Sequence, residues 1–308
     1  MTLEELNAQI VSGEIDETIR VVEARQVKVL SHIADRVCEH PKLRMVLLAG
    51  GSSSGKTTTA KRLCTQLRVN GREALQLSTD DYFVGDKRNP RNERGELDYE
   101  HVDCVDQALL ASDLNALFAG ESIPRRRFDF VSHEPGEPEG EITLADGGFV
   151  VLEGIHALNP RLVSAVPDET KFRVHINLQP SFDIFGGIRP TSAESRFLRR
   201  MVRDNRFRKM NPVMTLRMWP NVLDGERKWI EPFVGNADVV FDSYLDYELA
   251  VLKPYVSGLL ARVQHEIGDD PLIVNMIRLL NPILPLPDSG VPGDSILREV
   301  IGGSQLEY

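Results

Sequence analysis

Gly50-Gly51-Ser52-Ser53-Ser54-Gly55-Lys56-Thr57 is the stretch whose reading decides the fold. It has the spacing G-x-x-x-x-G-K-[ST], a glycine-rich turn that feeds a helix whose first backbone N–H groups hold phosphate. Its surroundings agree. Met45-Val46-Leu47-Leu48-Ala49 is a short apolar run of the kind that forms a buried parallel strand. Residues 58–69 set Ala60, Leu63, Cys64 and Leu67 on one helical face. Strand, loop and helix in this order predict a P-loop. Gly50, Gly51, Ser52, Ser53, Ser54 and Gly55, with Thr58 behind them, would cradle a polyphosphate. Lys56 would reach the β- and γ-phosphates and Thr57 would hold Mg²⁺. A nucleotide polyphosphate and Mg²⁺ are therefore the expected ligands of this loop.

Working outward, further apolar runs stand at 74–78, 149–152, 172–178 and 237–241, with helical patterns between them. The expected class is α/β, a P-loop NTPase-type parallel sheet flanked by helices, with N- and C-terminal helical extensions. We divide the chain into a helical N-terminal extension (1–41), a P-loop domain (42–242) that includes an arginine-rich lid at about 190–212, and C-terminal helices with a Pro-rich tail (243–308). In the first segment Val22, Val29, Ile33 and Val37 fall near one face, with Leu30 and Ala34 beside them, and Pro41 stops the helix. Residues 83–98 read as a polar loop. Residues 127–131 and 141–144 are expected to pair across the turn at 134–140. The tail is expected to be extended, packed on the P-loop domain or loosely ordered, with fraying at Gly302-Gly303.

The bulk numbers narrow the partners. The formal net charge of −10 argues against a broad footprint for nucleic acid or an anionic membrane. Cys38, Cys64 and Cys104 form no C-x-x-C, which fits reduced thiols better than a disulfide frame or a zinc site. The acidic start Met1-Thr2-Leu3-Glu4-Glu5 is unlike a signal peptide, and no apolar run reaches membrane-span length. These features fit a cytoplasmic protein.

Between Arg196 and Lys209 lie seven basic residues and one acid, Asp204. Arg196, Arg199, Arg200 and Arg203 have i, i+3, i+4, i+7 spacing and share a helix face. Beside polyphosphate such a stripe stabilises transition-state charge and can close as a lid. Asp80 follows the second strand at its C-terminal end, where ligands gather in open α/β sheets. Asp81 is its rival, and one of the two is expected to serve the turn. His156 and His175 read as buried histidines. Trp219 and Trp229 read as packing residues.

Five separated motifs then agree in order: 77–83 (Leu-Ser-Thr-Asp-Asp-Tyr-Phe), 99–106 (Tyr-Glu-His-Val-Asp-Cys-Val-Asp), 128–133 (Phe-Asp-Phe-Val-Ser-His), 151–154 (Val-Leu-Glu-Gly) and 199–204 (Arg-Arg-Met-Val-Arg-Asp). Together they resemble the uridine kinase branch of the phosphoribulokinase/uridine kinase family over roughly 43–242. The flanking helices resemble a bacterial nucleoside-kinase subgroup whose kinase part often follows a tRNA-synthetase-like module, which is not found in this sequence. The resemblance implies an ATP-dependent nucleoside 5′-kinase, most simply one acting on uridine and cytidine, with a small-molecule nucleoside as partner. A homo-oligomer is compatible with it.

By similarity Asp80 is the base on the 5′-hydroxyl, and Glu153 is the Walker-B-type acid that joins Thr57 at the metal. Lys56, Arg203 and Arg208 serve catalysis, Arg199 contacts the nucleotide, and Arg203 also reaches the substrate. Tyr99, Glu100 and His101 border the sugar, and Phe128, Phe130 and His133 recognise the base. Two departures stand out. Glu100 replaces the usual Asp, and Phe128 replaces the usual Tyr. A loop arginine of related enzymes corresponds to Met210, with Arg206 nearby. Two other readings stay open: a kinase of another small hydroxylated metabolite (a sugar phosphate or pantothenate), which Arg125, Arg126 and Arg127 would suit, and a nucleotide-gated regulatory protein. No N-K-x-D guanine-reading motif occurs.

Overall fold

The structure is a computed structural model and describes residues 1–180 and 189–307. Five parallel strands form the sheet, in the order Ala74–Ser78, Phe149–Glu153, Met45–Ala49, Lys171–Asn177 and Val239–Asp242. The strand leading into the P-loop is central, and all five of its residues are buried. Its side chains alternate between two cores, as the strand period of two requires. Met45, Leu47 and Ala49 pack with Leu110, Leu114 and Leu162 on one face. Val46 and Leu48 pack with Leu30, Ile33, Ala60 and Leu63 on the other. Each such side chain contributes roughly 1.5–3 kcal/mol when fully buried, so the run is hydrophobic throughout because both faces are covered.

The register sets the site. Leu48 and Ser78 both lie level with Glu153, so the P-loop, the Ser78–Thr79 turn and Glu153 leave the sheet at one edge. A side chain on Gly154 would collide with Thr79, so glycine is needed where these two exits meet.

Thr2 and Glu5 form a capping box on the helix Leu3–Ser12, which ends at Gly13 in the left-handed conformation. The following helix Ile15–Glu39 lies across the sheet and the P-loop helix Lys56–Val69. Its buried stripe is Ile15, Ile19, Val22, Gln26, Leu30, Ile33 and Val37. Val29, expected on this face, is 36% exposed; it precedes Leu30 by one residue, about 100° around the helix. Glu23 accepts from Arg62 (3.3 Å) of the P-loop helix and from the Tyr247 hydroxyl (2.6 Å), tying the N-terminal helix to both. The helices Glu248–Ile267 and Pro271–Leu280 share a third core with the arginine-rich helix Ser192–Phe207.

Two expectations need correction. The pairing of 127–131 with 141–144 is replaced by two short ribbons, Phe128–Asp129 with Glu134–Pro135 and Ile123–Pro124 with Glu141–Ile142. Asp129 closes the inner turn, accepting from the Val131 amide (2.8 Å) and the Ser132 hydroxyl (2.7 Å), with His133 at φ 58°. The Asx-type turn fixes a tighter register than the longer loop allowed. The chain end also does not fray at Gly302-Gly303: Ile296, Leu297, Val300 and Ile301 are buried, and Gly302 lies against Phe207. No described helix is long and apolar enough to cross a membrane.

Candidate active site

The P-loop folds around its small residues. A Cβ on Gly50 would come within 2.5 Å of the Ile176 carbonyl, and one on Gly51 would strike the Arg196 guanidinium. Gly55 has φ 86° at the start of the helix. Ser52 is held from three sides: its amide donates to Glu226 (3.3 Å), its carbonyl accepts from Arg196 (3.2 Å) and its hydroxyl accepts from Arg200 (2.7 Å). The Lys56 ammonium donates to the Gly51 carbonyl (3.1 Å) across the loop. Thr57 donates to Glu153 (3.0 Å) and Thr58 to Glu299 (2.7 Å). Gly50, Gly51, Ser54 and Thr58 shape the loop, whereas Ser52, Ser53, Gly55, Lys56 and Thr57 line a cavity of about 1170 Å³.

Carboxylates gather at the mouth of this loop. Asp80 lies in the turn Thr79–Tyr82, with its amide held by the Ser78 hydroxyl (3.3 Å). Its carboxylate lines the cavity and makes no hydrogen bond or ion pair with the described residues. Asp81 instead accepts from the Phe128 amide (3.3 Å); burial, then the Asp80 charge, pushes its pKa up to about 6. Glu153 is buried at its strand end, and burial, then Asp80, pushes it up to about 7. Glu153 and Thr57 offer oxygen donors beside a phosphate cradle, a set suited to a hard cation such as Mg²⁺. No cluster of three or more metal-ligating side chains occurs among the described residues.

Part of the cavity lining is aromatic. Phe128 and Phe130 line it, their centroids 5.3 Å apart, and Phe83 meets Phe128 edge-on at 5.3 Å. The Arg208 guanidinium sits 3.9 Å from the Phe130 ring centre, a cation–π contact. The Tyr99 hydroxyl donates to Asp86 (2.6 Å) and meets His133 Nδ1 at 2.9 Å. Both Tyr99 and His133 line the cavity. Glu100 lines it too, and its Oε2 is shut off from solvent without a partner. Burial pushes Glu100 up to about 7 against the opposing charge of Arg200. Gly225 makes room for it: a Cβ there would overlap the Glu100 Cβ.

His101 is not part of the cavity lining. Its Nδ1 accepts from the Asp103 amide (3.0 Å), and its ring packs against Trp229 at 4.4 Å. Trp219 packs against Phe197 with the Arg196 guanidinium over it.

The arginine stripe divides. Arg200, Arg203 and Arg208 line the cavity, and Asp204 lies buried among them. Burial acts to raise the Asp204 pKa, but Arg203, Arg200 and Arg208 hold it below the usual carboxylate range. Burial, then Arg203, lowers Arg208 to about 9. Arg199 departs from the expected nucleotide contact. It is fully buried, paired with Glu248 and donating to the Ser243 carbonyl (3.0 Å), away from the cavity. Neighbouring helix residues point about 100° apart, so Arg199 and Arg200 fall at opposite margins of the stripe. Arg196 also serves structure, through its buried pair with Glu226.

Sequence reasoning passed over Glu226, Lys61 and Arg217, and the C-terminal residues Arg298, Glu299 and Leu306. All but Glu226 line the cavity. The charge pattern of the helix Pro212–Trp229 was a signal for Glu226; the tail carried none.

Residues 45–250 match the phosphoribulokinase / uridine kinase family. The chain is similar to a uridine kinase of Deinococcus deserti, 30% identical over 202 residues, covering 65% of this chain and 88% of that protein. It is also similar to a uridine kinase of Halobacterium salinarum, 29% identical over 195 residues, covering 63% of this chain and 77% of the relative. Among solved structures, a putative fructose transport system kinase from Silicibacter sp. TM1040 shares the fold, with a TM-score of 0.52 and 19% identity over 68% of this chain and 98% of the other.

Proposed function

The chain belongs to the phosphoribulokinase/uridine kinase family and is a phosphotransferase, and we propose that it transfers the γ-phosphoryl group of ATP to the 5′-hydroxyl of uridine or cytidine. One observation carries this reading. A single cavity is lined by Lys56 and Thr57 of the P-loop, by Asp80, whose carboxylate is unpaired among the described residues, and by Phe128, Phe130, His133 and Glu100.

The chemistry follows from the placement. The P-loop amides and Lys56 hold the phosphate chain. Thr57 and Glu153 would hold Mg²⁺, which neutralises charge on the phosphates when bound. Asp80 accepts the proton of the attacking hydroxyl. Arg203 and Arg208, which line the same cavity, would stabilise the equatorial oxygens of the transferring group. Glu100 offers a carboxylate acceptor to the ribose hydroxyls, and its longer side chain is accommodated by Gly225. The phenylalanine faces suit a flat, neutral base. Of the three arginines that would suit a phosphorylated acceptor, Arg126 is paired with Asp113 and Arg127 with Glu139, while Arg125 lines the cavity without an ion pair among the described residues.

ADP release from the purified chain with ATP and Mg²⁺ tests the reading across nucleosides, sugar phosphates and pantothenate. Turnover with uridine or cytidine is the expected result. Turnover with a non-nucleoside alone would overturn the acceptor assignment and keep the phosphotransferase. ATP consumption indifferent to every acceptor would favour a nucleotide-gated role.

A further inference from the structure

The family match ends at residue 250, but the cavity does not. Arg298, Glu299, Gly302, Gly303, Ser304 and Leu306 form part of its lining. This segment is firmly seated. Ile296 and Ile301 are each 1% exposed. Arg298 donates to the Asp288 carboxylate (3.2 Å) and to the carbonyls of Asp288 (2.8 Å), Val291 (2.6 Å) and Gly302 (3.2 Å), closing the tail on itself. At one end Ile296 Cγ2 abuts Gly55, where a Cβ would come within 2.5 Å. At the other, Gly302 lies against Phe207, the last residue of the arginine helix. The tail therefore bridges the P-loop and the arginine helix.

Between these anchors Glu299 accepts a 2.7 Å hydrogen bond from the Thr58 hydroxyl. Thr58 is in the first turn of the P-loop helix, the end that carries the partial positive charge and draws anions. We propose that residues 296–306 are a wall of the nucleotide site and that Glu299 is an intramolecular rival of the nucleotide's phosphate chain, holding the start of the P-loop helix when the site is empty. This rests on reading the P-loop as the nucleotide site. The Glu299 carboxylate, itself part of the cavity lining, and a phosphate are both anions drawn to the same helix end. A polyphosphate entering the loop meets a like charge at its edge, and the Thr58–Glu299 bond is given up or strained as it binds. The tail thereby lowers nucleotide affinity, which favours release of the spent nucleotide.

The test is calorimetric binding of MgATP and MgADP to the full chain and to Glu299→Gln and Glu299→Lys, with uridine binding measured separately and thermal melting as a check on folding. Glu299→Gln keeps the shape and removes the charge; it should tighten both nucleotides about three- to five-fold and leave uridine unchanged. Glu299→Lys should tighten them further. Unchanged or weakened nucleotide binding in either folded variant overturns the proposal while leaving the kinase reading intact. Failure of the unmodified chain to bind MgATP overturns both.

Discussion

Glu226 and Arg196 form a buried ion pair whose two members both grip Ser52: the carboxylate accepts from its amide and the guanidinium donates to its carbonyl. The middle of the P-loop is thus shaped by a pair drawn from two helices outside it. Removing one partner of a buried pair costs about 3–5 kcal/mol, because the other charge is left without compensation. Glu226→Ala should therefore lower the melting temperature substantially and raise the KM for MgATP more than the KM for the acceptor. Equal melting temperatures for the variant and the unmodified chain would mean that the pair does not hold the loop.

Asp80 and Asp81 are neighbours in different settings. Both line the cavity, but Asp81 bonds the Phe128 amide, whereas the Asp80 carboxylate makes no hydrogen bond or ion pair with the described residues. Asp80→Asn should cut kcat by about 10²–10⁴ and leave MgATP binding in place, the pattern of an interaction made in the transition state. Asp81→Asn should alter acceptor KM more than kcat, through the position of Phe128. Steady-state kinetics paired with calorimetry separates the two, and a larger kcat loss in Asp81→Asn would reverse the assignment.

Glu100 and Glu153 give the site a pH dependence. Both are pushed from 4.5 up to about 7, chiefly by burial. A carboxyl raised in the folded chain favours the protonated form. Its stabilising contribution is complete below the unfolded value and is lost as pH rises through about 7. The melting temperature of the nucleotide-free chain should therefore fall between about pH 5 and pH 8, and Glu100→Gln or Glu153→Gln should each flatten that fall. Mg²⁺ favours the charged form of a carboxylate that binds it, so loading with MgATP should release protons near pH 7, read as a buffer-dependent heat of binding. The release should be smaller in Glu153→Gln.

Much of this was legible in the sequence, and the reason is local geometry. Gly50 to Thr57 carry their phosphate chemistry within one turn, and the apolar runs announce strands because both faces of the sheet are covered. Asp80 and Glu153 could be picked out because strand ends are readable and ligands gather there in open α/β sheets, and both line the cavity. What escaped depends on contacts between distant segments. The spacing of Arg196, Arg199, Arg200 and Arg203 gives their angles on a helix but not what each margin faces; Glu248 claimed Arg199 and Glu226 claimed Arg196. Nothing in the pattern of the tail revealed that Glu299 meets Thr58, 241 positions earlier.

The Tyr99–His133 contact bears on which base is preferred. The Tyr99 hydroxyl has one proton, and it donates that proton to Asp86 at 2.6 Å. Facing His133 Nδ1 at 2.9 Å, the Tyr99 oxygen must then accept, which places the imidazole proton on Nδ1. In the neutral ring Nε2 is left as an acceptor. An acceptor complements an amino group such as N4 of cytosine; a carbonyl such as O4 of uracil calls for a donor. Cytidine should therefore have the higher kcat/KM of the two nucleosides well above pH 7. Tyr99→Phe frees the tautomer and should narrow the cytidine-to-uridine ratio toward one. Asp86→Asn can return a donor to the tyrosine oxygen and should move the ratio the same way. Competition between the two nucleosides in one reaction reads the ratio directly, and a ratio unmoved by both substitutions would remove His133 from base selection.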